Sequence, residues 1–241
     1  MNIGVVFAGG VGSRMNSKEV PKQFLEMYNK PIIIHTLDHF EKNDDIDTVV
    51  VVCVEEWIPY LEELLYKFRI EKVKKIVTGG TTGQLSIYNG LCAAEEISGG
   101  KESIVLIHDG VRPLINTDIL SKNIESVEKY GSAITTGIVK ETIIVINNNR
   151  EIDQVPNREH SRVAKAPQSF WLDEVLSVQR KALAEGKSLF IDTCSLMQYY
   201  GKKMYTIDGP EENMKITTPA DFYIMRAILE AKENAQIYGM K

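Results

Sequence analysis

The chain has 241 residues, 44% hydrophobic and 25% charged, which is enough for one α/β domain with a substantial core. Acidic side chains outnumber basic ones, 33 to 28, and the net charge of −5 argues against a general nucleic-acid binder, which favours a basic surface. The three cysteines, Cys53, Cys92 and Cys194, are odd in number and form no C-x-x-C pair, so neither a disulfide framework nor a zinc site is expected.

There is no basic leader followed by an apolar stretch, and no apolar run approaches membrane-spanning length. The expectation is a cytoplasmic protein with core thiols.

Ile3 to Phe7 is a short β-branched run that reads as a buried parallel strand. It leads into Ala8-Gly9-Gly10-Val11-Gly12-Ser13-Arg14, whose glycine backbone can approach an anion without a Cβ in the way. Arg14 and Lys22 add two fixed positive charges beyond the glycines. A glycine loop with Arg and Lys at a strand's C-terminal end suits a nucleoside triphosphate. The spacing is neither the G-x-G-x-x-G of a dinucleotide fold nor the G-x-x-x-x-G-K-[ST] of a P-loop.

Helical and strand patterns then alternate, which argues an α/β sheet. A helix is expected from Pro31-Ile32 to about Phe40, a strand over Thr48 to Val54, and a helix over Glu56 to Phe68 with Trp57, Tyr60, Leu61, Leu64 and Leu65 inward. A strand over Lys75 to Thr78 closes on Gly79-Gly80, a helix covers Ser86 to Ile97 with Ser86 as a candidate cap, and a strand covers Ser103 to Ile107. A helix over Thr117 to Tyr130 and a strand over Ala133 to Gly137 follow.

The texture changes at residues 138–165. Thr142 to Ile146 and Glu151 to Val155 flank Asn147-Asn148-Asn149, a hairpin signal in which Asn can adopt positive φ. The chain then returns through helices over Leu172 to Glu185 and Asp192 to Tyr200 and a strand over Lys203 to Ile207. A final helix is opened by Thr218-Pro219 and runs through Ala231. No repeat or linker interrupts, so residues 1–241 are expected to form a single domain with residues 138–165 as an inserted arm.

Several motifs carry chemistry. Ile107-His108-Asp109-Gly110-Val111-Arg112-Pro113 places Asp109 just past a parallel strand, where open α/β sheets bind ligands, and one carboxylate there can hold Mg²⁺ against phosphate oxygens. His108 is read as structural. Together with AGGVGSRM, PKQFLEMYNKPII, GGTTGQLS and GPEENMKITTPAD, taken in order over nearly the whole chain, these motifs resemble the CTP-dependent cytidylyltransferases of sugar-alcohol phosphates. The two close relatives are the methylerythritol-4-phosphate and ribitol-5-phosphate cytidylyltransferases.

The resemblance implies a Rossmann-like three-layer α/β/α fold, a mostly parallel sheet and a protruding β-hairpin arm that completes a neighbour's site in a homodimer. It assigns Arg14, Lys22 and Lys215 to catalysis on the triphosphate and acceptor phosphate. It places the nucleotide on Ala8, Gly9, Gly10, Gly12, Gly80, Ser86, Asp109, Gly110 and Arg112, with Ser86 on the cytosine and Asp109 on Mg²⁺. Thr142 and Arg158 are implied to bind the acceptor phosphate from the neighbouring subunit. The sequence departs from the pattern at Gly83, where the relatives carry Arg, at Glu141 for Asp, and at Ala166 for Thr.

The implied partners are CTP and a polyol phosphate, with no nucleic acid and no membrane. The reaction gives a CDP-polyol and pyrophosphate. Val155-Pro156-Asn157-Arg158, the APQSF segment, Trp57 and Asp192-Thr193-Cys194 lean toward ribitol 5-phosphate and surface polymers such as teichoic acid, whereas Ser195 leans toward the methylerythritol acceptor of isoprenoid synthesis. A nucleotide-binding regulatory module without turnover stays an alternative. A nicotinamide oxidoreductase, with Glu55 as its ribose acid, is disfavoured by the glycine spacing.

Overall fold

The computed structural model describes residues 1–9 and 20–238. A seven-stranded sheet runs in the order β11-β7-β10-β6-β1-β4-β5. Its strands are β1 (Asn2–Ala8), β4 (Thr48–Cys53), β5 (Val73–Thr78), β6 (Ile104–Asp109), β7 (Ser132–Ile138), β10 (Arg162–Trp171) and β11 (Thr206–Asp208). β1 pairs in parallel with β4 and β6, β4 with β5, and β7 with β11, while β10 runs antiparallel to both β6 and β7. The sheet is therefore mostly parallel, as expected.

Two apolar layers explain why the central strands read as unbroken hydrophobic runs. Val6, Val49, Val51 and Leu106 face α1 (Ile32–Glu41), α2 (Ile58–Lys67) and α4 (Thr117–Tyr130). Ile3, Val5, Val50, Val52, Val105 and Ile107 face α3 (Gly83–Ser98), α5 (Leu172–Ala184) and α6 (Thr193–Tyr199). Alternate residues serve opposite faces, so both must be apolar. α7 (Pro219–Tyr238) covers a smaller cluster in which Ile216 and Met225 meet Val111 and Leu114.

Some expected boundaries shift. α3 begins at Gly83, and its cap is Thr82, whose hydroxyl accepts the Leu85 N–H at 3.1 Å; Ser86 lies inside the helix. Trp57 precedes α2, in a short 3-10 turn, and packs half-buried against the core beside Tyr60. Thr218 accepts the Asp221 N–H at 3.3 Å as a cap, and α7 runs past Ala231 to Tyr238.

The arm hairpin is shorter than its pattern, β8 (Val145–Ile146) against β9 (Ile152–Gln154), and Thr142 lies outside it. The positive φ falls on Arg150, at 67°, because Asn147 uses its side chain to accept the N–H groups of Asn149 and Glu151.

β10 was not expected from the sequence. Proline inside a central strand normally argues against one, because it cannot donate to the ladder. Here Pro167 falls where the register with β7 shifts, between Ala164 and Gln168, so no ladder donor is needed from it. A remaining pair of short strands, β2 (Glu26–Met27) and β3 (Lys30–Pro31), leads into α1.

The distance between α3 and the sheet depends on Gly90. A Cβ there would lie 2.6 Å from Val5 Cγ1 and 2.7 Å from Val52 Cγ2. Gly90→Ala is expected to destabilise the protein by roughly 1–3 kcal/mol through overpacking, read as a lower urea midpoint. An unchanged midpoint would mean that the helix–sheet spacing has slack.

Candidate active site

β1 sits where the strand order changes direction, with β4 and β5 on one side and β6 on the other. In open α/β sheets such a switch point leaves a crevice at the strand C-terminal ends. Register places Phe7 beside Asp109 there. The loop after β6 is held close: Gly110 N–H donates to the Phe7 carbonyl at 3.0 Å, and Thr36 from α1 donates to the Gly110 carbonyl at 3.0 Å. A Cβ on Gly110 would stand 3.3 Å from Ala8 Cβ, so glycine suits this approach.

Asp109 is 5% exposed, and both its oxygens are committed. Oδ2 accepts from Arg112 Nε at 2.7 Å, and Oδ1 pairs with Lys215 Nζ at 2.5 Å. Burial pushes this carboxyl up, but Lys215 and Arg112 outweigh it and hold it down at about 2. Three hydrogen bonds fix the array. The Arg112 N–H closes a turn onto the Asp109 carbonyl at 3.1 Å, Arg112 Nη1 donates to the Asn213 carbonyl at 3.3 Å, and the Ile216 N–H donates to the Val111 carbonyl at 2.8 Å. Lys215 thus arrives from a distant loop because buried Ile216 is pinned beside it.

His108 faces the other way, fully buried, with Nε2 3.3 Å from the Arg112 carbonyl. Burial pushes its imidazole down to about 3, so it is neutral at ordinary pH and is not placed as a proton shuttle.

Lys22 lies on a short 3-10 turn, Lys22–Phe24, between two anchored neighbours. Buried Gln23 donates its Nε2 to the Ala8 carbonyl at 2.6 Å, at the end of β1. Phe24 is 2% exposed and stacks on Trp57 with centroids 5.0 Å apart. These neighbours hold the half-buried Lys22 backbone beside the glycine-loop end of β1.

Ser86 meets the same end of the sheet from α3. Its hydroxyl accepts the Gly80 N–H at 3.0 Å and donates to the Thr82 carbonyl at 2.9 Å. Cβ atoms on Gly9 or Gly79 would approach Ser86 Oγ at 3.5 and 3.1 Å. Ala8, Gly9, Gly80, Ser86, Asp109, Gly110, Arg112, Lys22 and Lys215 therefore all sit at the strand C-terminal end or on loops tied to it. Arg14, Gly10 and Gly12 lie outside the described residues.

A cleft of about 320 Å³ opens beside Asp109, lined also by Phe7, Arg112 and Lys215. Thr142 and Arg158 are exposed and are not among the described residues that line it; Arg158 donates to the Lys140 carbonyl at 3.2 Å on the arm itself. The sequence reading named Gln168, Asp192 and Asn213 only within motif segments, without a site role, and gave Lys165 none. Lys165, Gln168 and Asp192 line the cleft, and Asn213 donates to the Ala166 carbonyl at 2.7 Å. Burial first, then the nearby Arg112, pulls the Lys165 ammonium below its usual value. The missing signal was β10, without which Lys165 was counted with the arm and Gln168 was only part of the APQSF segment.

Among the described residues no group of three His, Cys, Asp or Glu side chains could hold a metal by itself. Asp109 fits the other pattern, in which Mg²⁺ is shared between one protein carboxylate and substrate phosphates. Its carboxylate is ionised, and the Lys215 partner on Oδ1 is 41% exposed.

The asymmetry of the array predicts a stability order. Asp109→Asn leaves two cations facing each other with no carboxylate and should cost about 3–5 kcal/mol. Lys215→Met should cost clearly less, since Arg112 still satisfies Asp109 and Lys215 is half exposed. Urea unfolding of the two variants checks this, and the reverse order would contradict the described pairing.

Comparison with known proteins places the chain in a family. The 2-C-methyl-D-erythritol 4-phosphate cytidylyltransferase (IspD) family pattern matches residues 3–231. A ribitol-5-phosphate cytidylyltransferase of Streptococcus agalactiae serotype V is 52% identical over 240 residues, covering 100% of both chains, and that of Vibrio parahaemolyticus is 53% identical over 239 residues, covering 99% of this chain and 100% of the relative. A 2-C-methyl-D-erythritol 4-phosphate cytidylyltransferase of Clostridium botulinum is 38% identical over 226 residues, covering 94% of this chain and 96% of the relative. Among solved structures, 4-diphosphocytidyl-2C-methyl-D-erythritol synthase from Anaerococcus prevotii superposes with a TM-score of 0.83 at 27% identity, covering 95% of this chain and 96% of that one. Sheet order, crevice chemistry and full-length similarity converge: the chain belongs to the 2-C-methyl-D-erythritol 4-phosphate cytidylyltransferase family of nucleotidyltransferases.

Proposed function

We propose that this enzyme transfers CMP from CTP to D-ribitol 5-phosphate, giving CDP-ribitol and pyrophosphate for surface polymer synthesis such as that of teichoic acid. One observation carries the choice of acceptor: ribitol-5-phosphate cytidylyltransferases align end to end at 52–53% identity, against 38% for the methylerythritol enzyme cited.

In the reaction, an oxygen of the acceptor phosphate attacks the α-phosphorus of CTP. The bond from that phosphorus to the β-phosphate bridging oxygen breaks, and pyrophosphate leaves with the electron pair. The nucleophile is already anionic, so no general base is required. What supports this is the absence of a titrating base at Asp109, which stays ionised, and at His108, which stays neutral. The task is to neutralise and align two anions.

Lys22 and Arg14 take the triphosphate beyond the glycines Gly9, Gly10 and Gly12, and Lys215 and Arg112 face the reacting phosphates across Asp109. Ser86 and Gly80 face the base. Asp109 would hold Mg²⁺, which supplies charge neutralisation on the phosphate oxygens. Thr142 and Arg158 serve a neighbour's acceptor phosphate in a homodimer. The exposed apolar residues Ile143, Ile144, Ile146, Ile152 and Val155 along the arm support a second copy as their cover. Among the described residues no helix is long and apolar enough to cross a membrane, and the cysteines are free, which supports the cytoplasm as its place.

Pyrophosphate release with CTP and Mg²⁺ should be faster by at least tenfold with ribitol 5-phosphate than with methylerythritol 4-phosphate. The opposite order would return the enzyme to isoprenoid precursor synthesis. Lys22→Ala should lower turnover by two or more orders of magnitude on the scale of lost transition-state contacts, with the circular dichroism spectrum unchanged. CTP with Mg²⁺ should raise the melting temperature and NAD should not. A protein stabilised by CTP yet inactive with every polyol phosphate would be a regulatory module. Light scattering should give a dimer, and an active monomer would exclude a shared site.

A further inference from the structure

β10 and the residues at the start of α6 also line the cleft beside the Asp109 array, and the reading above leaves them unused. Lys165 is one of them. Its Nζ donates to the carbonyls of Pro210 at 3.3 Å and Glu211 at 3.1 Å, and it forms no ion pair among the described residues. An ammonium has three donors, so one remains for a ligand. The chain makes room for this side chain: a Cβ at Gly137 would lie 2.6 Å from Lys165 Cε.

Asp192 lines the same cleft. Oδ1 caps α6 by accepting from the Ser195 N–H at 2.8 Å and hydroxyl at 2.6 Å, while among the described residues Oδ2 accepts only from Gln168 Nε2, at 2.9 Å. A carboxylate oxygen has two lone-pair sites, so Oδ2 keeps acceptor capacity. Gln168 is the positioning residue. It is buried, its Oε1 accepts the Cys194 N–H at 2.8 Å, and its Nε2 also reaches the Lys165 carbonyl at 3.4 Å, locking β10 to the start of α6.

A fixed donor and a fixed acceptor, both held by Gln168, thus line the same cleft as Arg112 and Lys215. Two carbonyl dipoles already oppose the Lys165 charge, which makes it a directed N–H donor more than a bare cation. Hydroxyl groups, which both donate and accept, complement such a pair, and a phosphate would be repelled by Asp192. We infer that Lys165 and Asp192, positioned by Gln168, form the subsite that reads the hydroxyl chain of the polyol phosphate acceptor and so set its chain length. The inference rests on the cytidylyltransferase reading proposed above.

The test is steady-state kinetics with ribitol 5-phosphate and its shorter homologue glycerol 3-phosphate, for wild type, Lys165→Met and Asp192→Asn. Methionine keeps the stem of Lys165, and asparagine is as good a helix cap as aspartate. Each variant should raise the KM for ribitol 5-phosphate about tenfold or more, the scale of one hydrogen bond to a charged group, and cut the preference for ribitol 5-phosphate over glycerol 3-phosphate by a similar factor. The KM for CTP should stay within about twofold of wild type.

A merely structural role would move both acceptors and CTP together. An equal loss for both acceptors, a raised KM for CTP, or an unchanged KM for ribitol 5-phosphate would each overturn the subsite while leaving the enzyme's assignment standing. A wild type inert with ribitol 5-phosphate would overturn that assignment and the subsite with it.

Discussion

The carboxylate of Asp109, buried between Arg112 and Lys215, is the constraint on which the rest of the site depends. A lone carboxylate this buried would be costly, and two cations this close would repel. Each is tolerable only because all three are held in register by hydrogen bonds between distant segments: the Gly110 N–H to the Phe7 carbonyl, the Arg112 guanidinium to the Asn213 carbonyl and the Ile216 N–H to the Val111 carbonyl. The fold brings the end of β6, the end of β1 and the loop before α7 to one point, and the ion pairs then define a surface that is positive, rigid and open to the cleft.

Such a surface suits transfer between two anions better than proton chemistry. Asp109 stays ionised and His108 stays neutral across ordinary pH, so neither offers a proton in the range where enzymes work. The remaining resource is oriented charge. Lys22 is placed for this by neighbours that do no chemistry, Gln23 on the Ala8 carbonyl and Phe24 on Trp57. In the proposed reaction these packing contacts matter as much as the lysine, because a cation displaced by an ångström loses most of its effect on a transition state.

The central strands could be read from the sequence because both faces of the sheet are covered, which forces unbroken apolar runs such as Thr48–Cys53. The motif around Asp109 could be read because it follows such a run directly. What escaped was decided by contacts distant in sequence. β10 is disguised by Pro167, harmless only because the ladder shifts register there, and with β10 went Lys165 and Gln168. Ser86 looked like a cap, but Thr82 reaches the helix end first, and Ser86 turns its hydroxyl to the Gly80 backbone instead. In the proposed site the acceptor side depends on such long-range placement, whereas most of the nucleotide side is concentrated in local motifs.

In the proposed reaction an acceptor phosphate oxygen attacks the α-phosphorus of CTP. Phosphorus NMR of products formed from ribitol 5-phosphate labelled with oxygen-18 in its phosphate tests this directly. The expected result is label in the bridge between the two phosphorus atoms of CDP-ribitol and none in pyrophosphate. Label recovered in pyrophosphate, or a CDP-ribitol bridge free of label, would contradict it.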